Sequence, residues 1–340
     1  MGARQFSRRR GPGVPVTARL ARIWQYQYVI RLLSAAALLL TALMPGQEQQ
    51  VFRGKTEMVP VFVTVTDRDS RLVKDLTREA FEVLDNGKPQ PITVFDNTPQ
   101  PIRMIALVDI SGSVVDYLPL LRNAVGQLVT HLGPDDKARL GTFGNEIVIG
   151  APFSRNVKEL MTQLPESAPP NSRTPLWRAV DDAIGLFDAA ATERRVVLVL
   201  SDGKDSGPEW GKGKRFLTPM DVTKRAQDEN VMVYGVGLRS SLKGAPIGGG
   251  AQNMGAIMAS SLPDPNLGSV ALDSGGGYFE LRPRDDMAQT FARVVDELHS
   301  QYLIGYTPPA SDGKSHKIEV RLKDKSLKAH ARKAYTAPKG

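Results

Sequence analysis

Met104-Ile-Ala-Leu-Val-Asp-Ile-Ser-Gly-Ser113 is the stretch from which the fold is read. An unbroken apolar run closes on a carboxylate and then two hydroxyls at alternate positions. Such a run suits a strand buried on both faces, as in a parallel sheet covered by helices. Val196-Val-Leu-Val-Leu200 and Val231-Met-Val-Tyr234 are runs of the same kind. Helical spacing lies between them: Leu118, Leu121, Val125, Leu128, Val129 and Leu132, then Leu176, Val180, Ile184 and Phe187. Met287, Phe291, Val294, Val295 and Leu298 predict a last amphipathic helix. The alternation over 101–300 predicts an α/β domain with a doubly wound, mostly parallel sheet flanked by helices.

Either side of this stretch the rhythm changes. Over 51–100, Val61, Val63 and Val65 alternate with Phe62 and Thr64. Phe81-Glu-Val-Leu84 and Ile92-Thr-Val-Phe95 flank Asp85-Asn86-Gly87, a hairpin pattern. Over 301–337, Ile318, Val320 and Leu322 alternate with Lys317, Glu319 and Arg321, and Leu327, Ala329 and Ala331 follow. Neither flank is long enough to bury a core alone. They are therefore expected to pair as one small β-rich domain, with the α/β domain inserted in it or flanked by it. Residues 240–268, rich in Gly, Ser, Ala and Pro, read as a long loop with a short helix around 251–262.

The 340 residues carry a net charge of +8, but the excess is local. Residues 1–46 hold seven arginines and no acid, which leaves 37 basic and 36 acidic residues after them. A nucleic-acid partner is therefore not implied by the basic balance. Leu32-Leu-Ser-Ala-Ala-Ala-Leu-Leu-Leu-Thr-Ala-Leu-Met44 is apolar but shorter than the roughly 20 residues a spanning helix needs. It reads as the core of a signal peptide within 1–46, or as an anchor if uncleaved, so the protein is expected to be exported and to meet a membrane only there. No cysteine is present, which excludes disulfides, thiolate catalysis and cysteine-bound metals. With 41% hydrophobic residues, wholesale disorder is excluded as well.

Three segments fall at the carboxyl edge of the expected sheet, where open α/β sheets bind ligands. They are Asp109-Ile-Ser-Gly-Ser113, the helix-opening Asn171-Ser172-Arg173-Thr174-Pro175, and Ser201-Asp-Gly203. Two carboxylates and several hydroxyls meet there without a nitrogen or sulfur donor. That set suits a hard cation, Mg²⁺ first, then Mn²⁺ or Ca²⁺. Turn and cap formation is the ordinary alternative for such residues.

Asp109-x-Ser111-x-Ser113, Thr174 and Asp202, in this order and on these elements, resemble the metal-ion-dependent adhesion site of von Willebrand factor type A domains. The resemblance covers 101–300. Asp75-Leu-Thr-Arg-Glu-Ala-Phe-Glu-Val-Leu-Asp-Asn-Gly87 and Ser300-Gln-Tyr-Leu-Ile-Gly-Tyr-Thr-Pro308 are also similar to segments of exported proteins of this kind common in acidobacteria. The resemblance implies that Ser111 and Ser113 bind the ion directly and Thr174 directly or through water. It implies that Asp109 and Asp202 act largely through water, with one position left for an acidic residue of a protein partner. Arg173 departs from the small residues usual before the threonine; it would repel the cation or recruit the acidic ligand. The loops 203–218 and 239–268 lie on the same edge, and Arg173, Lys204 and Trp210 are the candidate partner-binding residues.

Other chemistry finds little support. Ser201-Asp-Gly-Lys204 and Ser311-Asp-Gly-Lys314 fit a serine–lysine spacing but fall at a strand end and a turn, without companion motifs. His131, His299, His316 and His330 are scattered and read as solvated surface. Asp181 and Asp182 read as exposed helix residues. The expected function is thus an exported, non-enzymatic binding module with a Mg²⁺-centred adhesion site. Its rivals are a structural or assembly protein in which the β-rich part carries the interaction, and a metal-assisted hydrolase, which would lack an evident base.

Overall fold

The computed structural model describes residues 58–114, 117–150, 152–167, 172–188, 193–207, 215–239, 259, 261–281 and 285–339. The leader 1–46, Asn171, Trp210 and the helix expected around 251–262, apart from its last residues, lie outside them. Among the described residues no helix is long and apolar enough to cross a membrane.

The central sheet is built from β5 (Ile102–Asp109), β6 (Lys137–Phe143), β7 (Ile147–Ile149), β8 (Arg194–Ser201), β9 (Val231–Gly237) and β10 (Tyr278–Glu280). Side chains of a strand point alternately to opposite faces. Met104, Ala106 and Val108 of β5 accordingly enter one core, and Ile105 and Leu107 enter the other. The helices α1 (Leu118–His131), α2 (Val157–Met161) and α6 (Met287–His299) close the first face. Opposite them, α3 (Leu176–Ile184), α4 (Pro219–Asp228) and α5 (Pro265–Asp273) close the second. Strand order is β10-β9-β8-β5-β6-β7, parallel throughout except for β7, which runs antiparallel to β6. The chain therefore starts at the sheet's middle, moves to one edge, and returns to build outward from the other side of β5. The reversal between β5 and β8 is the switch point at which doubly wound sheets open a crevice.

Two antiparallel sheets accompany this layer. One has the order β13-β1-β11-β4, from Lys328–His330, Val59–Thr66, Tyr302–Tyr306 and Val94–Asp96. The other has the order β14-β12-β2-β3, from Ala334–Thr336, Ser315–Leu322, Phe81–Asp85 and Lys88–Gln90. Val61 stands opposite Ile304, and Val83 opposite Val320, so residues before and after the α/β layer share ladders. Val61, Val63, Phe81, Val83, Ile304 and Ile318 meet in a common core.

Three details depart from the sequence reading. The turn at Asn86 (φ 48°) and Gly87 (φ 80°) does form a hairpin, with both central residues left-handed as its type demands. Its returning strand is Lys88–Gln90, however, not Ile92–Phe95. Pro91 lacks the N–H to extend the ladder, Ile92 turns into the core, and β4 joins the other sheet beside β11. Nor is His316 solvated: it is buried, with Nδ1 2.7 Å from Asp85 Oδ1. Tyr306 and Tyr335 donate to Asp85 Oδ2 at 3.0 and 2.6 Å, so a buried carboxylate organises four strands. Asp181, lastly, is not a free helix charge, since Arg225 of α4 meets its Oδ1 at 2.7 Å.

Candidate functional site

Asp109 closes β5 and is 1% exposed. The chain turns sharply after it, and the Ser111 N–H donates to Asp109 Oδ1 at 2.8 Å. From the neighbouring strand β8, the Ser201 hydroxyl donates to Asp109 Oδ2 at 2.5 Å. Both bonds come from neutral donors, so they orient the charge without cancelling it. Burial pushes the Asp109 carboxyl up to about 7, and the charge of Asp202 pushes the same way. The bonds from Ser111 and Ser201 act in the opposite sense.

Ser111 and Ser113 follow with their Oγ atoms 3.0 Å apart. At that distance one hydroxyl donates to the other. It is also the spacing of neighbouring oxygens around an octahedral ion with bonds of about 2.1 Å. Gly112, between them, is exposed, and a Cβ there would meet nothing within 4 Å, so the lip of the site is open.

Asp202 is fully buried directly after β8, and its Oδ1 accepts from the Lys204 N–H at 3.2 Å. Gly203 then takes φ +78°, turning the chain under Asp264. Thr174, buried just before α3, has its N–H on Ser206 Oγ at 2.6 Å, while the Ser206 N–H returns to Thr174 O at 2.8 Å. Asp205 reaches the start of α3, where Oδ1 accepts from the Trp177 N–H at 3.3 Å. Burial raises the pKa of Asp205, against the bonds from Gly207, Trp177 and Leu176 and the charge of Arg173. Asn145, after β6, completes the frame. Its N–H donates to Ser172 Oγ at 2.9 Å and its Oδ1 accepts from the Arg173 N–H at 3.2 Å.

The structure thus ties Asp109, Ser111 and Ser113 together directly, joins the Asp202 segment to Asp109 through Ser201, and joins the Thr174 segment to the Asp202 segment through Ser206. Arg173 is exposed at the rim and Lys204 partly so. Trp210 lies outside the described residues. The sequence pattern missed Ser201, Ser206, Asp205 and Asn145. For Ser201 a trace existed, since it ends the apolar run Val196–Leu200 with a polar residue where the strand is still buried. The others act through the fold of distant loops and leave no local trace. Among the described residues no group of three or more His, Asp or Glu side chains could hold a metal. The oxygen set here, two carboxylates with hydroxyls, is of another kind, and it fits a hard divalent cation.

A doubly wound sheet of this order flanked by helices defines a class of α/β domain. Residues 104–264 match the family model of the von Willebrand factor type A domain, and the chain contains a domain of this class. The sheet runs on beyond the matched residues through β10, and α6 closes its face. No curated protein matches the chain. Among solved structures it is similar to a von Willebrand factor type A protein from Catenulispora acidiphila, at 14% identity over 82% of this chain and 74% of that one, with a TM-score of 0.40. An aerotolerance-related membrane protein from Bacteroides fragilis is similar at 17% identity over 58% and 98%, TM-score 0.43. A pilus adhesin from Lactobacillus rhamnosus is similar at 11% over 81% and 48%, TM-score 0.40. At TM-scores below 0.5 these likenesses carry no argument. The domain class itself suggests protein–protein interaction or adhesion.

Proposed function

We propose that the protein is an exported binding module, in which the α/β domain uses a Mg²⁺-centred site to engage an acidic residue of a protein partner. The observation that carries this reading is the buried Asp109 carboxylate, held by the Ser111 N–H and the Ser201 hydroxyl beside Asp202, with the Ser111 and Ser113 hydroxyls 3.0 Å apart next to it. Ser111, Ser113 and Thr174 would hold the ion, with Asp109 and Asp202 acting through water; Mn²⁺ or Ca²⁺ would compete for the place. A bound divalent ion supplies a coordination position for a partner's Asp or Glu. Arg173 and Lys204 at the rim favour that charge, and the exposed Phe216 and Met220, at the start of α4 on the same edge, add apolar surface. The flanks 51–100 and 301–337 would form the platform that presents the site, and 1–46 would direct export or anchor the chain. A binding role is preferred to hydrolysis because the four histidines lie elsewhere: His299, for instance, is bonded to Asp136, at the opposite edge of the sheet.

The test is thermal unfolding in EDTA and with Mg²⁺, Mn²⁺ or Ca²⁺, with Asp109→Ala alongside. At 100 times its dissociation constant an ion stabilises the native state by about 2.7 kcal/mol, a visible rise in midpoint. The rise is expected in the parent protein and not in Asp109→Ala. No rise with any of the three ions sinks the metal-centred reading and turns attention to the β-rich flanks as the interacting part.

A further inference from the structure

We propose that Ser201 and Ser206, which lie outside the five-residue pattern, are positioning residues of the site, Ser201 for Asp109 and Ser206 for Thr174. The proposal rests on the reading of the site as a divalent-cation centre.

Ser201 is fully buried. Its Oγ accepts from the Gly203 N–H at 3.0 Å and stands 2.5 Å from Asp109 Oδ2. A backbone N–H can only donate, so it occupies a lone pair of the hydroxyl. The single hydroxyl proton is then committed to Asp109. With the Ser111 N–H on Oδ1, both carboxylate oxygens are held, one from the residue's own loop and one from the adjacent strand. Rotation of the carboxylate would break one bond or the other. The plane of the group, and hence the lone pairs left for water or ion, is set before any ion arrives.

Ser206 acts on the other side. It clamps the Thr174 backbone in both directions, accepting the Thr174 N–H and donating to the Thr174 carbonyl. Asp205, one residue earlier, fixes the first turn of α3 that Thr174 precedes. A single short segment, 201–206, therefore carries Asp202, orients Asp109 and locates Thr174. Three loops brought together from distant parts of the chain are referred to one frame. Groups held in place lose less freedom on binding, and partners that orient ligands are worth about 10–100-fold in metal affinity.

Calorimetric titration of the full chain with Mg²⁺, beside unfolding of the same samples in EDTA, tests this. Ser201→Ala is expected to weaken Mg²⁺ binding by about 10–100-fold, and Ser206→Ala to weaken it in the same sense. Ser201→Thr, which keeps the hydroxyl, is expected to bind as the parent does. A role confined to structure would lower the midpoint in EDTA and leave the affinity alone. Parent-like affinity in both alanine variants overturns the proposal while the cation reading stands. A parent that binds none of Mg²⁺, Mn²⁺ or Ca²⁺ overturns both. If Ser201→Ala does not fold, Ser206→Ala decides, because the Ser206 side chain is exposed and its loss leaves the cores intact.

Discussion

Asp109, Ser111 and Ser113 belong to one local segment at the end of an apolar run, tied by the Ser111 N–H on Asp109 and the 3.0 Å contact of the two hydroxyls. Chemistry written in a single segment is legible. What holds that chemistry is not, since Ser201 and Ser206 act across strands and loops whose approach only the fold decides. Gly203 shows the same limit. In the sequence it is one glycine after an aspartate. In the structure it has φ +78°, and a Cβ would lie 3.1 Å from Asp264 O and 3.2 Å from Leu267 Cβ. Its N–H also holds Ser201. Gly203→Ala is therefore expected to cost about 1–2 kcal/mol for the left-handed backbone alone, with the crowding added. Urea unfolding in EDTA measures that loss. Because Ser201 shifts with it, the variant should also bind Mg²⁺ more weakly; an unchanged unfolding midpoint would mean that the turn relaxes without strain.

Among the elements, alternation predicted which side chains of β1 and β12 turn inward, and helical spacing located α1, α3 and α6. Pairing partners were harder to see. The hairpin at Asn86-Gly87 was legible from two residues, but its second strand was assigned too late, because the returning strand Lys88-Pro-Gln90 carries no apolar pattern and the apolar Ile92–Phe95 after Pro91 goes elsewhere. His316 was misread for a similar reason: its partner Asp85 is brought to it only when β2 and β12 pair in register, Ile318 opposite Asp85. Three donors converge on that carboxylate from Tyr306, Tyr335 and His316. Removing an acceptor strands buried donors, at about 1–3 kcal/mol for each group left unsatisfied. Asp85→Ala is accordingly expected to lose about 3 kcal/mol or more, read from the urea midpoint. Asp85→Asn keeps one acceptor oxygen and should lose less. Equal losses in the two variants would show that neither the volume nor the single acceptor oxygen, both of which Asn keeps, contributes there.

Over the whole molecule, the α/β layer and the antiparallel sheets meet through buried polar groups rather than through apolar contact alone. Arg194, at the start of β8, is 1% exposed, bonds Leu298 O and Gln301 Oε1, and lies 4.4 Å from the centre of the Phe62 ring. Gln301 in turn donates to Thr64 and Tyr234 at 3.1 and 3.2 Å. Arg332 spans the same junction, donating to Gln227 O and Pro60 O. Burial pulls both guanidinium groups down to about 10, yet leaves them charged at neutral pH. None of this was visible in the sequence, because the partners of Arg194 and Arg332 come from segments far away along the chain. Glu297 of α6 joins the network, accepting from Tyr234 and Thr64 at 3.1 and 3.3 Å. Burial raises its pKa, and the Tyr234 and Thr64 bonds and the charge of Arg293 only partly offset that. A carboxyl whose folded pKa exceeds its unfolded value of 4.5 contributes fully to stability below that value. The contribution is lost as pH rises through the folded pKa. Glu297→Gln keeps an acceptor oxygen and has no such loss. Its unfolding midpoint relative to the parent is therefore expected to improve from pH 4 to pH 8. A difference that stays constant between those two pH values would mean that Glu297 holds its charge in the junction at no penalty.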